Sequence, residues 1–328
     1  MQPLVFEPYF RPQIWGQRRL KDRLDKALPA DGPFGESWEI SAHPLHVSRV
    51  AEGPWCGITL TELWEHHAEE LAGNQAPATP RFPLLIKFLD CHDLLSVQVH
   101  PSDQLARALL SNESGKTEAW VVLDAESTGR IYAGLSPGTT RDDLERHLDA
   151  GTVAECLHTF NPQPGDCLLL SCGTVHAAGG GILVAEVQQT SDATFRLFDW
   201  NRLGPDGKPR TLHRTEALQA IDWSIGPVRP VTPTKLDGVG CGVQGESLVD
   251  CSYFCMERYA VDGELLAPYA GQMSIWMVLA GMIQLQTNDG YQRWFRTGET
   301  VLIPASAGQA SWNTGMAGSA TMLAVTIP

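Results

Sequence analysis

No stretch of this chain reaches the roughly 20 consecutive apolar residues that a membrane-spanning helix needs, so a transmembrane segment is not expected. The opening, MQPLVFEPYFRPQIW, is broken by Glu7, Arg11 and three prolines, and lacks the uninterrupted apolar core of a secretory leader. Basic residues are scarce: 24 Lys and Arg stand against 38 Asp and Glu, a net charge of −14. That balance argues against nucleic acid and anionic membrane as partners, because both require clustered cations to displace counterions. The cysteines at 56, 91, 156, 167, 172, 241, 251 and 255 contain no CxxC pair and no regular framework. A zinc knuckle is therefore excluded, and reduced, mostly buried thiols in a cytoplasmic protein are expected.

What the chain does have is core and turns. Of 328 residues 43% are hydrophobic and 19% charged, with 31 glycines and 22 prolines, a composition that suits a turn-rich, strand-rich globular protein. The length exceeds what one core usually supports, so two domains, or one large β domain with an appendage, are expected. Strands are predicted at 84–89, 95–100, 119–123, 167–171, 182–189 and 194–198, where β-branched and aromatic residues are bounded by turn formers. Helices are predicted from the capping box Thr59–Glu62 to about Leu71, from Ser102 or Asp103 to Leu110, from Thr140 to Leu148 with a stop at Gly151, and from Thr211 to about Ile221. His66 and Glu70 are four apart on the first of these, a spacing that suits a metal, although HHAEE also reads as a solvated helix face. A proline- and glycine-rich segment from Pro227 reads as a linker or crossover. Beyond it, short strands at 252–261, 274–279, 282–287, 291–295, 300–303 and 320–327 suit a small antiparallel barrel or sandwich. The domains read from this pattern are 1–226 and 227–328.

One internal echo links the two parts. The run Gly165 to His176, GDCLLLSCGTVH, overlays Gly298 to Gln309, GETVLIPASAGQ, with glycine, acid, hydrophobic stretch and small-residue turn in matching places. The overlay sets His176 on Gln309, so a duplicated barrel keeps the histidine only in its first copy.

Candidate chemistry gathers in the first part. Gln98 and His100 are two residues apart on an apolar run, and in a strand such residues point to one face. With Glu118 in GKTEAW and His176 in GTVHAAGGG they offer one amide oxygen, two imidazoles and one carboxylate. Such a mixed set suits a borderline divalent ion such as zinc and leaves room for water or substrate. Each histidine taken alone also reads as a satisfied core or surface residue. Glu186 shares a strand face with Ile182, Val184 and Gln188. Facing an interior it would have the raised pKa a general base needs; paired with a cation, or orienting His176, it would be structural. Arg196 offers a planar fork for an anionic group such as phosphate, or a salt bridge to Asp192 or Asp199. Arg202 and Lys208 follow closely, concentrating positive charge on an acidic chain, as an anionic substrate would need.

The glycine, acid, hydrophobic stretch, small turn and histidine resemble the second motif of cupins, small double-sheet β-barrels that carry a metal. More specifically, LLIKFLDCHDLLSVQVHPSD, SGKTEAW, GTVHAAGGGILVAEVQQTSDATFRLFDWNR and the opening IWG with GESWEIS resemble the type I phosphomannose isomerases in their shorter bacterial form, over about Phe6 to Arg202. The resemblance implies a mainly β fold with helical insertions, built on two cupin-like antiparallel β-barrels of jelly-roll type. It implies Gln98, His100, Glu118 and His176 as ligands of one zinc ion, Arg196 and Lys116 as residues of the reaction, and Ser96 and Lys87 as contacts for a sugar phosphate, to which the nearby cation Arg202 is added. The reaction implied is interconversion of mannose 6-phosphate and fructose 6-phosphate through a cis-enediol, by a monomer or weak homodimer. Glu186, Lys116 and zinc-bound hydroxide stand as alternative bases. Competing readings are a non-catalytic metal-bound cupin that senses a sugar phosphate, and an iron oxygenase, which typically uses more histidines. Trp15, Trp38, Glu36 and Glu39 belong to the opening motifs, Trp38 as core or lid. Gln17 stands where many relatives carry a second glycine, which puts the turn after IWG in doubt if it needs positive φ.

Overall fold

The computed structural model describes residues 1–73, 79–204 and 206–328, and its architecture is mainly antiparallel β with short helices around the sheets. The first large sheet runs, in spatial order, Tyr9–Gln17, Phe34–Ile40, Leu84–Cys91, Ile182–Gln189, Glu118–Ala125 and Cys167–Leu170. A smaller sheet follows: Phe195–Phe198, Val97–Val99, His176–Gly179, Arg130–Leu135 and Leu157–Phe160. The second large sheet is Thr234–Leu236, Val243–Asp250, Cys255–Val261, Ala320–Thr326, Ser274–Ala280 and Thr300–Ile303, and its smaller partner Glu264–Leu266, Ala310–Asn313, Met282–Thr287 and Gln292–Arg296.

Central strands of the first large sheet are buried on both faces, which is why they read as near-continuous apolar runs. Leu84, Ile86, Phe88, Ala119, Val121, Leu183, Ala185 and Val187 face the second large sheet and pack in one core with its Met256, Ile275, Met277, Leu323 and Val325. The alternate residues, including Leu89, Trp120, Val122, Ile182 and Val184, face the smaller sheet. Two-residue alternation therefore sends Lys87, Glu118 and Glu186 to the inside of the first sheet pair.

Strand order in the second large sheet repeats that of the first, chain segment for chain segment. Leu168 pairs with Trp120, and Val301 pairs with Trp276, as the sequence echo requires. The same register sets Ser274 where the first sheet has Glu118, Ala324 where it has Glu186, and Glu257 where it has Lys87. The inside of the second pair is filled largely by apolar side chains, among them Trp276 and Trp312 with ring centroids 5.3 Å apart, and the Glu257 carboxylate is bound by the Tyr259 and Tyr269 hydroxyls.

Helix limits differ from expectation in two places. The helix expected through Leu71 is broken into Leu60–His66 and Ala68–Ala72, because His67 leaves helical geometry (φ −135°, ψ 25°) to pack its ring edge-on against Trp55. The helix expected from Thr211 begins at Arg214. Thr211 to His213 are held alongside Arg196 instead: the His213 amide donates to the Arg196 carbonyl at 2.8 Å, and Arg196 Nη1 donates to the Thr211 carbonyl at 2.8 Å. The segment after Pro227 is also more than a free linker, since Val228 and Val231 donate to the carbonyls of Ala133 and Cys167 and Thr234–Leu236 joins a sheet. Gln17 has no positive φ, so the turn after IWG makes no demand for glycine at that position. Crowding falls on Gly16, where a Cβ would stand 2.3 Å from the Gly35 amide nitrogen.

Candidate active site

His100 and His176 are oriented by their own backbone. His100 Nδ1 meets the Ala193 carbonyl at 2.8 Å and His176 Nδ1 meets the Thr174 carbonyl at 2.9 Å; a carbonyl only accepts, so each Nδ1 carries a proton and each ring is held with Nε2 toward the cluster. The Nε2 atoms face Glu118: His100 Nε2 is 3.3 Å from Oε2 and His176 Nε2 is 3.2 Å from Oε1. All three side chains are buried, and their ligand atoms lie within 4.8 Å of one another. Gln98, paired in register with His176, brings its amide to 3.3 Å from His176 Nε2. Burial, reinforced by Lys116, pushes His100 down to about 3, so its imidazole is neutral. Lys116 Nζ lies 2.9 Å from Glu118 Oε2 and 3.3 Å from His100 Nε2, and among the described residues neither Glu118 oxygen has a well-directed hydrogen-bond donor. Two imidazole Nε2 atoms and two carboxylate oxygens converging in one buried cluster form a site that a divalent cation fits.

The cluster adjoins a cavity of ≈ 210 Å³ whose lining includes Lys87, Ser96, Gln98, Lys116, Glu186 and Arg196. Glu186 is buried, with Trp120 Nε1 donating to its Oε2 at 2.8 Å and Lys87 Nζ 3.3 Å from its Oε1. Desolvation raises its pKa against the opposing pull of Lys87, the direction a base requires. For Lys116, burial acts downward but is outweighed by Glu118 and Glu186, which hold the ammonium above its ordinary value. Lys87 also meets Glu36 at 3.6 Å and stands over the Trp38 ring at 5.0 Å, and Trp38 is wholly buried, a core residue that does not line the cavity.

Neither anticipated carboxylate takes Arg196. Asp192 is bound by Arg11 Nη1 at 3.1 Å, and Asp199 is shared by Arg202 at 2.6 Å and Arg210 at 2.5 Å. Arg196 keeps a buried Nε without a partner among the described residues and lines the cavity. Arg202 lies behind that wall and Arg210 lines it instead. Sequence reasoning also passed over Arg11, Gln13 and Thr194, which line the same space. In all, Arg11, Lys87, Lys116, Arg196 and Arg210 outnumber the lining carboxylates Glu36, Glu186 and Asp192, a local excess of positive charge on a protein of net charge −14.

Residues 4–118 match the family described as phosphomannose isomerase type I, catalytic domain. The mannose-6-phosphate isomerase ManA of Bacillus subtilis is 34% identical over 312 residues, spanning 94% of this chain and 95% of the relative. This chain belongs to the type I phosphomannose isomerases. A mannose-6-phosphate isomerase of Streptococcus mutans is 33% identical over 92% of both chains. The crystal structure of the Bacillus subtilis mannose 6-phosphate isomerase superposes with a TM-score of 0.91 at 32% identity, covering 100% of both chains. The match to the phosphomannose isomerase catalytic domain takes in Arg11, Lys87, Gln98, His100, Lys116 and Glu118, while His176, Glu186 and Arg196 come from the chain beyond it.

Proposed function

We propose that this phosphomannose isomerase interconverts mannose 6-phosphate and fructose 6-phosphate through a cis-enediol, with one zinc ion held by Gln98, His100, Glu118 and His176. The observation that carries the reading is the convergence of two imidazole Nε2 nitrogens on the Glu118 carboxylate beside a cation-lined cavity that also holds a buried acid. Zinc bound there would supply a Lewis acid toward the sugar oxygens.

The chain's own residues supply the rest. Proton exchange between C1 and C2 needs one group able to take and return a proton near both carbons. Glu186, raised by burial and fixed by Trp120, is assigned that role. Lys116 enters as an ammonium donor to developing negative charge on a sugar oxygen rather than as a base. Arg196 holds phosphate or enediolate, with Ser96, Lys87 and Arg210 as further contacts and Arg202 supporting Arg210 through Asp199. Each sheet pair is read as a cupin-like barrel. Residues 1–226 are assigned the chemistry and residues 227–328 a metal-free frame, in keeping with Ser274 and Ala324 at the positions of Glu118 and Glu186. Eight free cysteines favour a reducing, cytoplasmic setting.

The purified protein is to be assayed for mannose 6-phosphate to fructose 6-phosphate conversion in a coupled assay, with metal content measured on the same sample. Turnover with close to one zinc per chain, lost on chelation and restored by zinc, is expected. A zinc-loaded protein that binds the sugar phosphate without turnover would establish the sensor reading instead, and iron in place of zinc would remove the metal assignment.

A further inference from the structure

Lys116 is held by the backbone on either side of it. The Gly115 amide donates to Asp103 Oδ1 at 2.8 Å, the Lys116 amide to the Pro101 carbonyl at 3.2 Å, and the Thr117 amide to Gln189 Oε1 at 2.9 Å. Gln189 Nε2 in turn donates to the same Asp103 oxygen at 3.2 Å. Position 115 has to be glycine for this approach, since a Cβ there would stand 2.5 Å from the Asp103 amide nitrogen and 2.9 Å from Oδ1. Asp103 thus ties down both ends of the Lys116 segment, one directly and one through Gln189.

The second oxygen of Asp103 is bound from the other half of the molecule. Tyr253, in the turn between Val243–Asp250 and Cys255–Val261, donates its hydroxyl to Asp103 Oδ2 at 2.9 Å. A cavity of ≈ 620 Å³ lies behind the segment, lined by Asp103, Ser114, Gln189 and Tyr253 among others. Open space on that side means that packing alone does not fix Asp103, and a hydrogen bond to a charged acceptor is strong enough to do so.

We infer that Tyr253 is a positioning residue for the isomerisation: through Asp103 and the Gly115–Thr117 backbone it sets the Lys116 ammonium at the cavity wall. The C-terminal sheets thereby take part in turnover, not only in stability. This rests on the reading of Lys116 as a residue of the reaction, and displacements of about 1 Å at such a group cost up to roughly 100-fold in rate.

Tyr253→Phe removes only the hydroxyl. Expected is a kcat roughly 3- to 10-fold lower, as for loss of one charge-assisted hydrogen bond only partly transmitted to the reacting group, with unchanged zinc content and little change in KM for mannose 6-phosphate. Asp103→Asn, which replaces the acceptor by a donor or turns the tied oxygen away, should lower kcat comparably. The double variant should be no slower than the slower single one, because Tyr253 acts only through Asp103. If Tyr253→Phe does not accumulate, Asp103→Asn carries the test by the same kcat criterion. A Tyr253→Phe enzyme with wild-type kcat and a lowered Tm overturns the inference and leaves a brace between sheets; additive losses in the double variant also overturn it. Lys116→Ala assayed in parallel separates the two readings: full activity there overturns the role of Lys116 itself, whereas an inactive Lys116→Ala beside an unimpaired Tyr253→Phe overturns only the positioning.

Discussion

Trp120 donates its indole N–H to Glu186 at 2.8 Å, so the acid assigned to proton transfer is aimed by a neighbour on the adjacent strand rather than by its own rotamer preferences. Glu186→Gln keeps the shape and removes the acid. A loss of about 10²–10⁴ in kcat is expected, the range general acid–base groups contribute, with zinc retained. Trp120→Phe should cost roughly tenfold in kcat by releasing one hydrogen bond to a carboxylate. A Glu186→Gln enzyme with near-normal kcat would transfer the role of base to zinc-bound water or Lys116.

His176→Ala removes one of the two imidazole nitrogens facing Glu118. Metal affinity should fall by more than the roughly 10–100-fold typical of changes to partners outside the ligand set, and activity with it. Metal analysis after dialysis, run beside the isomerase assay, checks both together. Unchanged turnover in this variant would remove the assignment of the site.

Arg196→Ala and Arg210→Ala are expected to separate. Arg196 carries a buried Nε with no partner among the described residues, and its loss should abolish activity while zinc stays bound. Arg210 is already paired with Asp199 through two nitrogens, so its loss should raise KM for mannose 6-phosphate by roughly tenfold at most with kcat largely kept. Steady-state kinetics on the two variants, with metal content alongside, tests the difference.

The Arg11–Asp192 pair gives a pH signature. Burial pulls Asp192 upward, but Lys87 and Arg11 outweigh it and hold the carboxylate below its ordinary 3.8. A depressed acid contributes stability above its unfolded pKa and loses it as pH falls through the folded value. Asp192→Asn should therefore lower stability near pH 7 by about 1 kcal/mol, as suits a pair that is partly exposed. The deficit should shrink as pH drops below 3.8. Denaturant melts at pH 7 and at pH 3 measure it; an equal deficit at both would assign the loss to packing.

Much of the first sheet pair was legible because strands buried on both faces leave apolar runs, and because Gln98 and His100 stand two apart on one. The convergence of Glu118 and His176 with them was not deducible from spacing, since three strands from distant parts of the chain meet there. Phe34–Ile40 escaped because two glutamates interrupt its apolar pattern. Both are buried and satisfied, Glu36 by Trp38 and Gln13, Glu39 by Lys26 and Ser37. Tyr9–Gln17 escaped because Pro12 interrupts it, which an edge strand tolerates, and Arg11 and Gln13 were missed with it. Alternation of Arg11, Gln13 and Trp15 was the available signal. Val243–Asp250, with Gly245 and polar neighbours, offers no strand period to read.

The indoles of Trp276 and Trp312 bear on any attempt to give this molecule a second centre. Writing an acid at 274 would restore one letter of the first half without its cavity, because two large rings already occupy the interior toward which position 274 faces. Returning this half to chemistry means hollowing it out before decorating it.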